Sequence, residues 1–237
     1  MINRYGDTCD ILHTDLHECL GHGSGRLLPD TDPDALKAYD NTIEEARADL
    51  FGLYYIADPK LVELGLLPDI EAYKSHYYSY VMNGIMTQLI RIKPGHQIEE
   101  AHMRNRALIA HWCYEQGKGV IKLEQRGGKT FVRITDYGAL RLLFARLLAE
   151  IQRIKSEGDY DAARQLVEHY AIKVDAELHR EVLSRYEKLN LAPYKGFINP
   201  QLLPVHDDNE EICDIQVSYS ESYAHQMLRY GQEYGTL

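Results

Sequence analysis

Residues 17–25 read HECLGHGSG, and the first six of them place two histidines and a glutamate within two helical turns. Two imidazoles and a carboxylate this close together are the groups needed to hold a divalent zinc ion and to accept a proton from the water bound to it. The zinc-peptidase pattern His-Glu-x-x-His has its histidines four residues apart, whereas His17 and His22 are five apart. In an ideal α-helix that separation puts them about 140° apart around the axis, so an undistorted helix could not direct both toward one ion.

Two backbone arrangements are compatible with the extra residue. In the first, a π-type bulge takes up the insertion and returns both histidines to one side of the helix. Gly21 then falls at the extra position, where the lack of a Cβ lowers the cost of unusual backbone angles. In the second, the helix ends here, because Gly21, Gly23 and Gly25 form a stop signal, and the histidines are scattered at the start of a glycine-rich loop.

A third metal ligand is expected from the segment EEARAD at residues 44–49. A catalytic zinc site has three protein ligands and one open position, and Glu45 begins an apolar helical pattern that could supply the third ligand. Asp49 lies one turn further along the same face and could accept the free ring N–H of a ligand histidine. A purely structural alternative is a capping box, formed by Thr42 with Glu45 or, more weakly, by Asn41 with Glu44.

Together, HECLGHGSG and EEARAD are similar to the two signature motifs of the dipeptidyl-peptidase III family of zinc exopeptidases. Ala46 stands where many members carry cysteine, a difference that touches no ligand. The resemblance implies one Zn²⁺ per chain, held by His17, His22 and Glu45, with Glu18 as the general base and Glu44 and Asp49 as partners of the ligands.

The resemblance continues through AHMRNR at residues 101–106. Family members place here a histidine that stabilises the reacting carbonyl and an arginine four residues later, which implies these roles for His102 and Arg106. The same two side chains could equally be a surface pair that solvates a helix face. His13, four residues before His17, is a competing metal ligand, although this pairing would leave Glu18 without its expected position.

The chain is much shorter than the members of this family. Members are several hundred residues longer, with the metal motifs past their midpoint, whereas here the first motif begins at residue 17. We therefore expect residues 1–237 to form a single zinc-bearing catalytic lobe, a fragment of a two-lobed peptidase whose missing N-terminal lobe is its partner. The resemblance implies the release of dipeptides from the N-terminus of oligopeptides, and weak or no activity without the second lobe.

The amino-acid composition indicates which partners and which cell compartment to expect. The chain has 45% hydrophobic residues, enough for a core, and no apolar run of about 18 residues, so no membrane association is expected. The net charge of −10 disfavours nucleic acid as a partner, because phosphate binding requires clustered lysine and arginine. The four cysteines are widely spaced and the N-terminus lacks a signal-peptide pattern, which favours the cytoplasm.

The periodicity predicts a mainly α fold (α+β), in which a helical domain carries the inserted His-Glu motif and one or two small β-hairpins. One helix ends near His22 and the next, with Glu45, ends before Pro59. Further helices are predicted at 69–92, 97–116, 137–156, 159–172 and 175–189, with hairpins at 120–135 and around 207–209, a loop from Pro193 and a last helix from Glu221.

A different class of function is also compatible with the motifs. The chain could be a non-catalytic helical scaffold, or a partner-binding module, whose zinc only joins two helices. Such a closed structural site needs a fourth protein ligand, and Cys19 is the only cysteine near the motif. Because Cys19 follows His17 by two residues, we expect its side chain to point away from the ion.

Overall fold

The computed structural model describes residues 1–191 and 198–235. The chain divides into two compact units, Met1–Leu189 and Asn190–Leu237. The loop predicted from Pro193 begins outside the described residues. None of the described helices is long and apolar enough to cross a membrane.

The first unit is helical, with one small hairpin. Its principal α-helices are α1 (Ile2–Leu16), α2 (Asp40–Tyr55), α3 (Lys60–Glu63), α4 (Tyr73–Ile85), α5 (Ala101–Gln116), α6 (Tyr137–Glu157), α7 (Tyr160–Leu166) and α8 (Ala176–Glu187). A π-helical turn, His17–His22, extends α1, and a second one, Val167–Ala171, extends α7. Short 3₁₀ turns lie at Lys37–Tyr39 and Thr87–Arg91.

Local side-chain chemistry explains most of these boundaries. Asp136, Asp159 and Asp175 precede α6, α7 and α8, and each accepts a hydrogen bond from a backbone N–H of the first turn. Helix α6 ends at Gly158, whose φ of 67° is the left-handed conformation that glycine adopts at low cost. The helices predicted from periodicity are therefore confirmed, and the tyrosine-rich stretch from residue 69 is resolved into α4 and a 3₁₀ turn.

Helix α2 lies at the centre of the first unit. It packs against α1, the π-helical turn after α1, α5 and α6. Its apolar residues Ile43, Leu50 and Leu53 are completely buried, and burial extends to its charged residues Arg47 and Asp49. Buried charges are stable only when they are paired and hydrogen-bonded, so the surroundings of α2 must supply partners for both.

The first hairpin pairs β1 (Ile121–Arg126) with antiparallel β2 (Lys129–Ile134), in a register that sets Ile121 opposite Ile134. Gly127 and Gly128 form the two-residue turn, both with positive φ, which is the geometry that matches the twist of the strands. The second unit contains the hairpin of β3 (Gln201–His206) with β4 (Ile212–Ser218), followed by α9 (Tyr223–Glu233). The predicted mainly helical fold with two small hairpins is confirmed.

Candidate metal centre

The backbone of the inserted motif is a π-helical turn. Helix α1 continues without a break from Leu16 into the π turn His17–His22, so the structure has the first of the two expected backbone arrangements. The extra residue per turn returns the two imidazoles to the same side of the helix. The rings of His17 and His22 lie with centroids 4.6 Å apart and planes 86° apart.

Gly21 is required by packing rather than by its own backbone angles. It is buried where the π turn meets α2, and a Cβ built on it would lie 2.6 Å from Ala48 Cα and 2.7 Å from Ala48 Cβ. Those distances are too short for any carbon contact, and the first of them is to backbone, which cannot rotate away. The glycine therefore lets the helix that carries the histidines approach the helix that carries Glu45.

Replacing Gly21 with alanine is therefore expected to destabilise the metal-free protein by about 1–3 kcal/mol, the usual cost of overpacking. Urea unfolding followed by circular dichroism would measure this. Gly6 on α1 is the matched control, because its added Cβ would meet only Ile2 Cγ2, at an ordinary 3.6 Å. Gly6→Ala should be neutral or stabilising by up to about 1 kcal/mol. Equal stabilities for the two variants would contradict the packing argument.

His17, His22 and Glu45 present ligand atoms to one another. His17 Nε2 lies 3.5 Å from Glu45 Oε2, and His22 Nε2 lies 3.9 Å from Glu45 Oε1. All three ligand atoms of the group lie within 4.8 Å of one another. Ligand atoms about 2.0–2.1 Å from a tetrahedral zinc would be about 3.3 Å apart, so a small contraction would bring the group to bonding distance.

One atom of this group has no partner of its own. Glu45 Oε2 is buried and accepts no hydrogen bond within the described part of the chain, although His17 Nε2 lies 3.5 Å away. A buried carboxylate oxygen without a donor is costly unless a cation or water satisfies it. The donor set of two imidazole nitrogens and one carboxylate oxygen is the kind that Zn²⁺ takes at catalytic sites, so the residues present fit that ion.

Glu44 holds the second histidine from the side opposite Glu45. Its Oε1 lies 2.8 Å from His22 Nδ1 and accepts a hydrogen bond of 2.8 Å from the buried Arg47 guanidinium, while Lys155 Nζ lies 2.8 Å from its Oε2. Partial burial by itself raises the pKa of Glu44, but hydrogen bonds from Arg47, Lys155 and His22 outweigh it and lower the pKa to about 2. Glu44 thus carries a negative charge that directs the ring of His22.

Asp49 holds the first histidine. Its Oδ1 lies 2.7 Å from His17 Nδ1 and 3.1 Å from His13 Nε2, while its Oδ2 accepts hydrogen bonds from Tyr80 (2.6 Å) and Asn105 (3.0 Å). Burial alone would raise the pKa of Asp49, yet the hydrogen bonds from His13 and His17 hold it well below its usual range. For His17, burial lowers the pKa and the contact with Asp49 raises it, with a net rise.

The group formed by His17, His22 and Glu45 borders a cleft of about 500 Å³. Glu18, His102 and Arg106 line it together with His17 and Asp49. His102 Nε2 lies 3.4 Å from Glu45 Oε2, and its Nδ1 lies 2.8 Å from Glu100 Oε1. The structure thus places His102 and Arg106 at the same cleft as the motif residues, although the His102 side chain is 55% exposed.

Several structural alternatives from the sequence have clear outcomes. Helix α2 begins at Asp40, so Asn41 and Thr42 lie inside its first turn and neither caps the helix; the capping-box interpretation is wrong. His13, with His17 and Asp49, forms a second group of metal-ligating side chains, but its Nε2 is engaged with Asp49. Cys19 is exposed and belongs to neither group.

Sequence reasoning did not find Tyr80, Asn105 or Glu100 as parts of this site. Tyr80 comes from α4, and nothing in its local pattern distinguishes it from the other tyrosines of that helix. Asn105 carries a weak signal, because it follows His102 by three residues and so lies near the same side of α5. Glu100 is the residue that caps α5, accepting hydrogen bonds from the backbone N–H groups of His102 and Met103.

Fold and site together define a helical domain in which three side chains that could hold a metal ion lie beside a cleft, a combination found in metallopeptidases. Residues 34–202 match the sequence profile of peptidase family M49, and the chain belongs to that family. The matched range includes EEARAD and residues 101–106 and begins after HECLGH. The family predicted from the two motifs is confirmed by relatives named dipeptidyl peptidase 3.

The chain is 26% identical to dipeptidyl peptidase 3 of Mus musculus and of Homo sapiens over 203 aligned residues, covering 68% of this chain. It spans about a quarter (27%) of the length of these relatives. Among solved structures, dipeptidyl-peptidase III of Caldithrix abyssi aligns with a TM-score of 0.56, 24% identity and 76% of this chain, covering 32% of its own. Dipeptidyl-peptidase III from Corallococcus sp. strain EGB aligns with a TM-score of 0.56 and 23% identity. That alignment covers 75% of this chain and 31% of the Corallococcus chain. At these identities the two structures support the fold.

Proposed function

We propose that this chain is the zinc-bearing lobe of an exopeptidase that releases dipeptides from the N-terminus of oligopeptides. The observation that carries the proposal is the convergence of His17, His22 and Glu45, in which the buried Glu45 Oε2 accepts no hydrogen bond from the described residues. Membership of peptidase family M49 supports the reaction class. The names of the relatives, dipeptidyl peptidase 3, support the release of dipeptides.

In this proposal His17, His22 and Glu45 hold one Zn²⁺ per chain. When bound, the ion would polarise a peptide carbonyl and lower the pKa of water toward about 7. Glu44 and Asp49 orient the ligand imidazoles through the Nδ1 contacts described above, which leaves each Nε2 directed at the group. Orientation by such carboxylates fixes the tautomer of a metal-binding histidine.

The proton steps are assigned to Glu18. It follows His17 in the π turn and lines the cleft, where its carboxylate can accept a proton from the attacking water and return it to the leaving amine. His102 lies beside Glu45, and its Nδ1–H donates to Glu100. The doubly protonated form of the His102 ring also carries an Nε2–H, which it can donate to the developing oxyanion. Arg106, one turn along α5, adds positive charge at the same cleft.

We further propose that residues 1–237 act as one catalytic lobe whose partner is the remaining, N-terminal part of a longer enzyme. The share of the relatives' length that the chain spans, 27%, supports this. We propose the cytoplasm as the location, because the four cysteines are widely spaced, with no pattern of a disulfide framework.

Metal analysis followed by peptidase assays tests the proposal. We expect one zinc per chain by mass spectrometry under native conditions, and weak or no hydrolysis of a dipeptidyl arylamide by the chain alone. The complete enzyme should hydrolyse that substrate, lose activity with a chelator and regain it with zinc. An N-acetylated substrate is the control and should be resistant. A chain that binds no zinc, or a complete enzyme that accepts the acetylated substrate equally well, would contradict the proposal.

A further inference from the structure

The buried contacts of Asp49 are more extensive than a single ligand histidine requires. Four donors from three other helices converge on its two oxygens: His13 and His17 on Oδ1, and Tyr80 and Asn105 on Oδ2. Tyr80 and Asn105 fix the carboxylate plane, while His13 shares an oxygen with the ligand histidine. The ring of His13 therefore contacts Asp49 Oδ1, the same atom that orients His17, and helps to fix its position.

The position of the His13 ring is built into the packing. It lies against Gly52 of α2, where an added Cβ would come within 2.6 Å of its Cε1 and Nδ1. On another side His76 packs against it, with ring centroids 4.4 Å apart, and His76 is itself held by Asp10 at 3.0 Å. His13 is 8% exposed, so its ring has little room to turn.

The hydrogen-bonding capacity of these groups fixes the tautomers. An ionised Asp49 only accepts hydrogen bonds, so both ring nitrogens that contact its Oδ1 must carry a proton. His13 therefore donates from Nε2, which agrees with its Nδ1 being buried without a partner among the described residues. His17 donates from Nδ1, which leaves the lone pair of Nε2 directed at Glu45 and His22.

We propose that His13 is a positioning residue of the candidate metal centre. By donating its Nε2–H to Asp49 Oδ1, it holds the carboxylate where that oxygen accepts the Nδ1–H of His17, so that His17 meets the ion through Nε2. This assignment rests on the proposed function, because it requires that His17 is a metal ligand. It gives His13 a role different from that of a competing ligand.

The test compares two substitutions at His13 by their zinc affinity, measured on the 237-residue chain by competition with a chromophoric chelator. His13→Leu removes the donor and should weaken binding by about 10- to 100-fold, the usual effect of losing a partner that orients a ligand. His13→Gln places an amide N–H at about the position of the ring Nε2–H, so it can still donate to Asp49. Its zinc affinity should stay within about threefold of that of the unsubstituted chain. His111→Leu, which removes a half-buried histidine that contacts Tyr170 O instead, is the control and should not change zinc affinity.

Either of two binding results would overturn the proposal: normal zinc binding by His13→Leu, or an equal loss in His13→Gln and His13→Leu. A measurement on the unsubstituted, zinc-loaded chain keeps the test independent of how the variants fold. Nitrogen-15 NMR should show a proton on His17 Nδ1 and metal on Nε2, and the opposite arrangement would also overturn it. Because all of these readouts are binding or spectra, a failure of peptidase activity would count against the proposed function and not against this role of His13.

Discussion

Replacing Glu18 with alanine should lower kcat of the complete enzyme by about 10²- to 10⁴-fold, the usual contribution of a general base, and leave its zinc content unchanged. Glu18 is the acid of the inserted motif that lines the cleft, and it belongs to neither group of converging metal-ligating side chains. Steady-state kinetics on a dipeptidyl arylamide and metal analysis of the same preparations would measure both effects.

Asp15→Ala is the matched control for that experiment. Asp15 is an exposed acid on α1, three residues before Glu18, and it does not line the cleft. Its removal changes the net charge by the same amount and should leave kcat and zinc content as they were. A Glu18→Ala enzyme that turned over substrate at the normal rate would remove Glu18 from the mechanism, and one that lost its zinc would make it a metal-site residue.

Replacing Glu45 with glutamine should weaken zinc binding by more than about 100-fold and leave the stability of the metal-free chain within about 0.5 kcal/mol. A metal ligand should cost more affinity than a residue that only orients one, for which 10- to 100-fold is typical. The fold should tolerate the change because Glu45 Oε2 accepts no hydrogen bond among the described residues, and the three imidazoles near the carboxylate lie 3.4–3.9 Å away, beyond close hydrogen-bonding distance. Chelator competition and urea unfolding would give the two quantities.

We expect the opposite pattern when glutamine replaces Glu44, the acid next to Glu45: a larger loss of stability and a smaller loss of zinc affinity. Glu44 pairs with Arg47, whose side chain is 2% exposed, so Glu44→Gln would leave a buried guanidinium without its carboxylate. We expect this variant to lose about 1–3 kcal/mol of stability and to weaken zinc binding by no more than about 10- to 100-fold. Equal behaviour of the two variants, in either direction, would show that Glu45 is not distinguished from Glu44 as a ligand.

Much of the helical architecture could be predicted before the structure, because its boundaries depend on neighbours in the chain. Asp136, Asp159 and Asp175 cap the helices that follow them, and Gly127-Gly128 supplies the positive φ angles of the first hairpin. Each of these signals acts within a few residues, which is the range over which a sequence can be interpreted without knowing the fold. The π turn was only partly predictable from the local sequence, because the spacing of His17 and His22 left two backbone arrangements open.

The residues around the ligands could not be predicted in the same way, because they meet through packing. The reason for Gly21 is the approach of Ala48 from α2, and no pattern within residues 17–25 contains that contact. The capping box, the structural alternative for this segment, is not formed because α2 begins at Asp40, before Thr42.

The sequence by itself predicted most of the helical segments and the chemical types at the centre: a glutamate and histidines that could bind a metal, with His13 and His22 both open as partners of His17. Only the tertiary structure decided how those side chains are held. Asp49 gathers donors from α1, α4 and α5, residues 31 to 56 positions away, after α2 has been buried among those helices. The physical reason is that a buried carboxylate must find its hydrogen-bond donors wherever the packed core places them, and the positions of those donors in the chain do not encode that meeting.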